Sequence, residues 1–204
     1  MALFEPAYAL IKKHEGGYAN DPADAGGETY AGISRVAHPS WSGWPIIDNA
    51  KPLRNNAKVP LATKPVEEWY EANIWDRHSL GALPDQQTAN LLLDTLTLHG
   101  KGGRLIQQVC VEMGKAVKVD GSVGPNTIGA IRLLSQPDFR SRLISKRLAY
   151  VKALALEKPS NIKFLPGWTS RILSFGKAYA PIGALTFAIV GAVGYFLVKK
   201  ATNA

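Results

Sequence analysis

The chain has 204 residues, 46% of them apolar, and a net charge of +8 at neutral pH. That length allows a substantial core and suggests one domain with an appendage or two small lobes, and the composition excludes a disordered chain. The single cysteine, Cys110, rules out an intrachain disulfide. The fold therefore does not depend on an oxidising compartment, and Cys110 reads as a small buried apolar group rather than a nucleophile.

Charge is unevenly placed. Up to Gly124 there are 12 basic and 14 acidic side chains, and beyond it 12 basic residues face only Asp138 and Glu157. A basic second half suits an anionic partner: nucleic acid, an anionic lipid surface, or a cell wall bearing carboxylates and phosphates. No helix-turn-helix, finger or RNP signature accompanies the basic residues, so no nucleic-acid partner is expected.

At the N-terminus there is no basic n-region, and Glu5 and Pro6 interrupt any apolar run, which argues against a cleavable secretory signal. Pro6 suits a first helical turn, and Ala7, Leu10, Ile11 and His14 follow at helical spacing. The pattern predicts an amphipathic helix over 6–15, ended by Gly16 and Gly17. Gly17 to Ser34 is dense in Gly, Asp, Asn and Pro with scattered Tyr, Thr and Ile, which predicts turns and a short hairpin.

Residues 36–66 hold Pro39, Pro45, Pro52, Pro60 and Pro65 together with Trp41 and Trp44. They read as a long ordered loop, whose tryptophans either line a groove or, the favoured reading, pin the loop to the body. Helical patterns follow at about 66–77, 86–99, 101–113, 126–135 and 138–157. Between them, Val119 to Thr127 is a short loop feeding a helix, with Pro125 at its first position. The chain is thus expected to be mainly α, with a small N-terminal β-hairpin element and a helical lobe.

Ala178 to Val198 is a run of 21 uncharged residues bracketed by Lys177 and by Lys199 and Lys200. At about 1.5 Å per residue such a helix spans roughly 30 Å, the thickness of a bilayer's hydrocarbon core, so a C-terminal transmembrane helix is expected. Ala180, Ala184, Ala188 and Ala192 form a small-residue stripe through which it could associate with another helix. Lys158, Lys163, Arg171 and Lys177 outnumber the two lysines beyond the run, weighting the body towards the cytoplasmic side. The expected divisions are 1–95, 96–175 and a tail, 176–204.

A glutamate at a helix end before two glycines, as Glu15 is, says little alone. Asp24 follows nine residues later and Thr29 fourteen later, within one glycine-bearing turn region. Glycosidic cleavage needs a protonated carboxyl beside the leaving oxygen and a polar group on the opposite face to stabilise a cation or hold water. Glu15, Asp24 and Thr29 could supply these parts, although Asp24 could equally cap a loop and Thr29 be an ordinary strand residue. Asp21 and Glu28 are reserve candidates. His14, His38, His78 and His99 show no metal-ligand spacing and no CxxC occurs, so neither metal nor cofactor is expected.

The run Glu15-Gly16-Gly17-Tyr18-Ala19-Asn20-Asp21-Pro22-Ala23-Asp24-Ala25-Gly26-Gly27-Glu28-Thr29-Tyr30-Ala31-Gly32-Ile33 resembles the signature of glycoside hydrolase family 108, which comprises bacterial and phage N-acetylmuramidases. Trp69-Tyr70, Ile74-Trp75-Asp76, Asp94, His99-Gly100 and Arg104 to Gln107 continue the resemblance. The Asp120 to Thr127 loop, Arg147, Tyr150 and Gly167 to Arg171 resemble the peptidoglycan-binding region that accompanies that domain. The resemblance implies an α+β lysozyme-like fold and hydrolysis of the β-1,4 bond between N-acetylmuramic acid and N-acetylglucosamine. It makes Glu15 the general acid and Asp24 a stabilising or water-positioning group, while Thr29 falls one residue short of the spacing in phage lysozyme families. Tyr18, Tyr30, Trp75 and His99 are the candidate substrate-binding residues, and peptidoglycan glycan strands the expected partner. With the tail, this suggests an endolysin or virion-associated enzyme anchored in a host inner membrane or carried in a virion. Rival readings are a catalytically inactive, membrane-tethered wall-binding protein and a lytic transglycosylase.

Overall fold

The computed structural model describes residues 1–20 and 27–177. The chain divides into two compact units, Met1–Phe139 and Arg140–Ala204. In order, the first elements are helix α1 (Phe4–Lys12), strands β1 (Tyr18–Ala19), β2 (Thr29–Tyr30) and β3 (Ile33–Ser34), and helices α2 (Trp44–Asn49) and α3 (Thr63–Tyr70). After them come α4 (Gln86–Leu98), α5 (Gly102–Glu112), α6 (Pro125–Arg132), α7 (Gln136–Glu157) and α8 (Leu165–Lys177).

The first unit is built around α4. Asp85 caps it by accepting from the Thr88 N–H at 2.6 Å, and every residue from Thr88 to Thr95 is buried. A helix buried all round must be covered on all sides; α1, α5, the π-helical turn Glu71–Asp76 and the 3-10 turn Leu80–Ala82 pack on it. Helix α1 turns Phe4, Ala7, Tyr8 and Ile11 inward, the i, i+3, i+4, i+7 spacing of an apolar stripe. It starts at Phe4, before the expected position, because Leu3 exchanges hydrogen bonds with the Gln86 side chain at 2.7 and 2.9 Å. Pro6 then occupies the first turn, where its missing N–H matters little.

Two expectations are corrected by the contacts that residues 36–66 make. The segment contains a helix, α2, and a 3-10 turn at Pro60–Ala62, because its aromatic residues find a core. Trp41 and Trp44 are 7% and 2% exposed; their indole N–H groups donate to Pro65 O and His38 O at 3.2 and 2.8 Å. Trp41 also stacks on Tyr30 at 6.3 Å between ring centres, so the tryptophans pin the segment to the sheet. Second, the helix expected over 66–77 begins at Thr63 and passes into the π-helical turn after Tyr70.

In the second unit Leu143, Ile144, Arg147, Val151 and Ala155 are buried along α7, and Ile172 and Phe175 along α8. The expected fold class included a transmembrane helix, and this is corrected: among the described residues no helix is long and apolar enough to cross a membrane. The stretch 178–198, with its alanine stripe, lies outside the described residues. What the structure supports is a mainly helical α+β chain with one three-stranded antiparallel sheet in the order β1-β2-β3.

An ion cluster ties α2 to the hairpin. Glu28 meets Arg35 and Lys51 at 2.6 and 2.7 Å, and Asp48 meets the same two cations at 2.7 and 2.8 Å. Hydrogen bonds from Arg35 and then Lys51 hold the Asp48 carboxyl below its ordinary value of 3.8. Those to Asp48 and then Glu28 hold Lys51 above 10.5. The Asp48 contribution is therefore complete above pH 3.8 and disappears as pH falls through the lowered folded value; that of Lys51 is complete below 10.5 and disappears at higher pH. Both groups lie at the surface, so the effect is small and salt-sensitive. Asp48→Asn is expected to melt slightly below wild type at neutral pH, with the gap closing below pH 3.8; a gap undiminished at about pH 2 would remove the cluster as its cause.

Candidate active site

Glu15 leaves the end of α1 with its backbone held on both sides. Its N–H closes the last helical turn onto Ile11 O at 3.1 Å, and its carbonyl accepts from Lys58 Nζ at 3.1 Å. The next residues run alongside the returning end of the long segment. Gly17 N–H donates to Asn56 Oδ1 at 2.9 Å, Tyr18 N–H to Ala57 O at 2.9 Å, and Asn56 N–H to Tyr18 O at 2.7 Å. The approach is so close that a Cβ on Gly17 would overlap the Ala57 and Asn56 backbone. This explains the second glycine of the Glu-Gly-Gly-Tyr run better than helix termination does.

The sheet brings a turn against the acid. Tyr18 pairs with Tyr30 and Ala19 with Thr29, then Thr29 with Ser34 and Tyr30 with Ile33. Only Ala31 and Gly32 remain between β2 and β3, with φ of +47° and +79°, the signs a two-residue type I′ hairpin requires. Gly32 is exposed. A Cβ built on it would stand 2.6 Å from Glu15 Oε2 and 2.8 Å from Tyr70 Oη, so the carboxylate, the phenol and the turn converge on one point. Tyr70, 1% exposed, donates to Ala31 O at 2.9 Å and locks the turn in place. Ala31, a non-glycine residue in the left-handed region, bears strain of the kind found where surrounding structure overrides local preference.

The surroundings are aromatic and acidic. Tyr8 packs against Tyr70 at 5.7 Å, and its phenol is pushed up to about 12, first by burial and then by the charges of Glu67 and Glu15. Glu67 lies one turn before Tyr70 on α3, so a second carboxylate shares this neighbourhood.

The expected residues are placed as follows. Glu15 is half-buried beside the turn, and Thr29 is half-buried in β2, two residues before it. Asp24 and Asp21 lie outside the described residues. Tyr18, Tyr30, Trp75 and His99 are between 5% and 7% exposed. The Tyr30 hydroxyl bridges the Val59 backbone, accepting from N–H at 2.8 Å and donating to C=O at 3.2 Å. Tyr18 and Tyr30 thus belong to the sheet next to Glu15. Trp75 packs on Phe4, at the opposite end of α1, and His99 closes α4, its N–H donating to Thr95 O at 3.3 Å. Among the described residues no group of three or more His, Cys, Asp and Glu could hold a metal ion. Cys110 is fully buried, and burial pushes its thiol up to about 11.

Sequence reasoning passed over Gly32, Lys58, Glu67 and the role of Tyr70. The i, i+3 spacing of Glu67 and Tyr70 was a visible signal; the contacts of Lys58 and Gly32 with Glu15 join residues 43 and 17 positions apart and had none.

Residues 8–100 match the family described as glycosyl hydrolase 108, and residues 101–173 match a predicted peptidoglycan domain. The border between the matches falls in the turn from α4 to α5, whereas the first compact unit continues to Phe139, because α5 packs on α4 and α6 on α5. Among solved structures, one described as the structure of Brucella abortus SagA is 25% identical, with a TM-score of 0.62 over 89% of this chain and 98% of that one. No curated protein matches.

Gly32→Ala places a methyl group against the acid in a left-handed backbone. It is expected to lose about 1–2 kcal/mol of stability, read from the urea midpoint. An unchanged midpoint would show that the turn relaxes freely.

Proposed function

We propose that this chain, a member of the glycosyl hydrolase 108 family carrying a predicted peptidoglycan domain, cleaves the β-1,4 bond between N-acetylmuramic acid and N-acetylglucosamine with Glu15 as general acid. More broadly, the chain is a hydrolase that acts on peptidoglycan. What supports the finer one is the placement of the Glu15 carboxylate against the exposed glycine of a two-residue turn. There a polymer can approach with no side chain from that position in its way.

In this reading the Glu15 carboxyl gives its proton to the glycosidic oxygen as the bond to the anomeric carbon breaks, and electron density from the ring oxygen stabilises the resulting cation. Water then adds to the anomeric carbon and gives a proton to the Glu15 carboxylate, which restores the acid. Asp24 stabilises the cation or positions that water, and Thr29 holds or orients it through a hydroxyl that both donates and accepts. Tyr70 and Lys58 act on the backbone around the acid, keeping the turn and the Glu15 carbonyl in place. Tyr18, Tyr30, Trp75 and His99 serve the substrate by fixing the sheet and helices that frame the site. The basic residues beyond Gly124 favour an anionic wall.

Muropeptide analysis of purified sacculi treated with the full chain tests the reading. New reducing muramic acid ends are expected from wild type, and Glu15→Gln is expected to release them at least about 100-fold more slowly while still sedimenting with the wall. Undiminished release by Glu15→Gln would remove Glu15 from the mechanism. Anhydro ends in place of reducing ends would make the reaction a transglycosylation, and binding without release would leave a wall-binding protein.

A further inference from the structure

Resting on the reading that Glu15 acts on a glycan, we propose that Trp69, flanked by His38, is a sugar-stacking wall that holds an N-acetylhexosamine ring beside the scissile bond.

The four tryptophans of the first unit are used differently. Trp41, Trp44 and Trp75 are 7%, 2% and 5% exposed, whereas Trp69 keeps partial access to solvent. The indole N–H groups of Trp41 and Trp44 are spent on backbone carbonyls. That of Trp69 donates to no group among the described residues, and its ring partners there are His38 and Tyr70. A part-exposed indole with an unused donor combines an apolar face with a polar tip, the combination that suits tryptophan to recognition surfaces.

Its position relates it to the acid. Trp69 immediately precedes Tyr70, and the two rings meet edge to face at 5.1 Å; Tyr70 Oη and Glu15 Oε2 converge at Gly32. On its other side Trp69 meets the His38 ring at 4.9 Å, again edge to face. His38 is itself part-exposed and is tied to the hairpin by its N–H, which donates to Ser34 O at 2.9 Å. The series Glu15, Gly32, Tyr70, Trp69, His38 is thus continuous, running from the carboxylate to a part-exposed aromatic surface. A pyranose ring offers an apolar C–H face to an indole, and burying that face is favourable in proportion to its area. The N-acetyl carbonyl is an acceptor matched to the indole N–H, which points to acetylated hexosamines over plain hexoses.

The test uses the full chain carrying Glu15→Gln, titrated with peptide-free glycan strands released from sacculi by an amidase. Adding Trp69→Ala is expected to weaken calorimetric affinity about tenfold, and Trp69→Phe, which keeps a ring but loses the donor, about threefold. In turnover assays with native Glu15, Trp69→Ala is expected to raise KM with little change in kcat. Should the alanine variant fail to fold, the indole N–H resonance of Trp69, assigned by its absence from the phenylalanine variant, is followed during titration and is expected to shift. Equal affinities in the three proteins, or an unmoved resonance at saturation, would overturn the proposal even if release of reducing ends depends on Glu15. Conversely, affinity that depends on Trp69 in a chain that releases nothing would retain the subsite and discard the enzymatic reading.

Discussion

The close approach of residues 56–58 to Gly17, where a side chain of any size would meet the Ala57 carbonyl, is the contact on which the geometry around Glu15 depends. It lets the Glu-Gly-Gly-Tyr run lie between two neighbours: the 56–57 backbone on one side and β2 with its turn on the other. With Gly17 clamped and the Glu15 N–H committed to Ile11, the carboxylate has few places to go. The one it takes faces Gly32, again a position without a side chain. Two glycines thus act in complementary ways, one allowing the backbones to touch and the other keeping a Cβ away from the Glu15 carboxylate.

That clamp exists only because a long, proline-rich segment is brought back to the sheet. Trp41 on Tyr30, the Arg35 guanidinium 4.3 Å above the Trp44 ring, and the Glu28–Arg35–Asp48–Lys51 cluster anchor its outward half. The Tyr30 hydroxyl, bonded to both polar groups of Val59, anchors its return. Burial of aromatic area supplies most of the driving force and the surface ion pairs add direction more than stability. The long segment is in this way a structural wall beside Glu15.

Helices with an apolar stripe were readable from spacing alone, as Phe4, Ala7, Tyr8 and Ile11 show for α1 and the uninterrupted run around Leu91 to Leu93 shows for α4. The hairpin was readable from its glycines and aromatics, and Glu15 drew notice through the long motif that it opens. Helix α2 was hidden, because a six-residue helix containing Pro45 has too little periodicity to register. The π-helical turn after Tyr70 was hidden too, since an extra residue in a turn leaves no mark on composition. The terminal apolar run met the length criterion for a membrane span, but it lies outside the described residues, and among those no helix is long and apolar enough to cross a membrane.

By itself the sequence determined which segments are amphipathic, where turns must fall, that no disulfide stabilises the chain, and that a glutamate opens a motif of peptidoglycan hydrolases. These are local properties, set by residue type and by spacing along a few turns of chain. Only the tertiary structure decided that Tyr30 and Trp41 are packing residues, that Lys58 and Tyr70 hold the backbone around Glu15, and that Gly32 lies against its carboxylate where a Cβ would not fit. Each of these depends on residues far apart in the chain meeting at a few ångströms, and such a meeting is set by how the whole core closes around α4 rather than by any one stretch of residues.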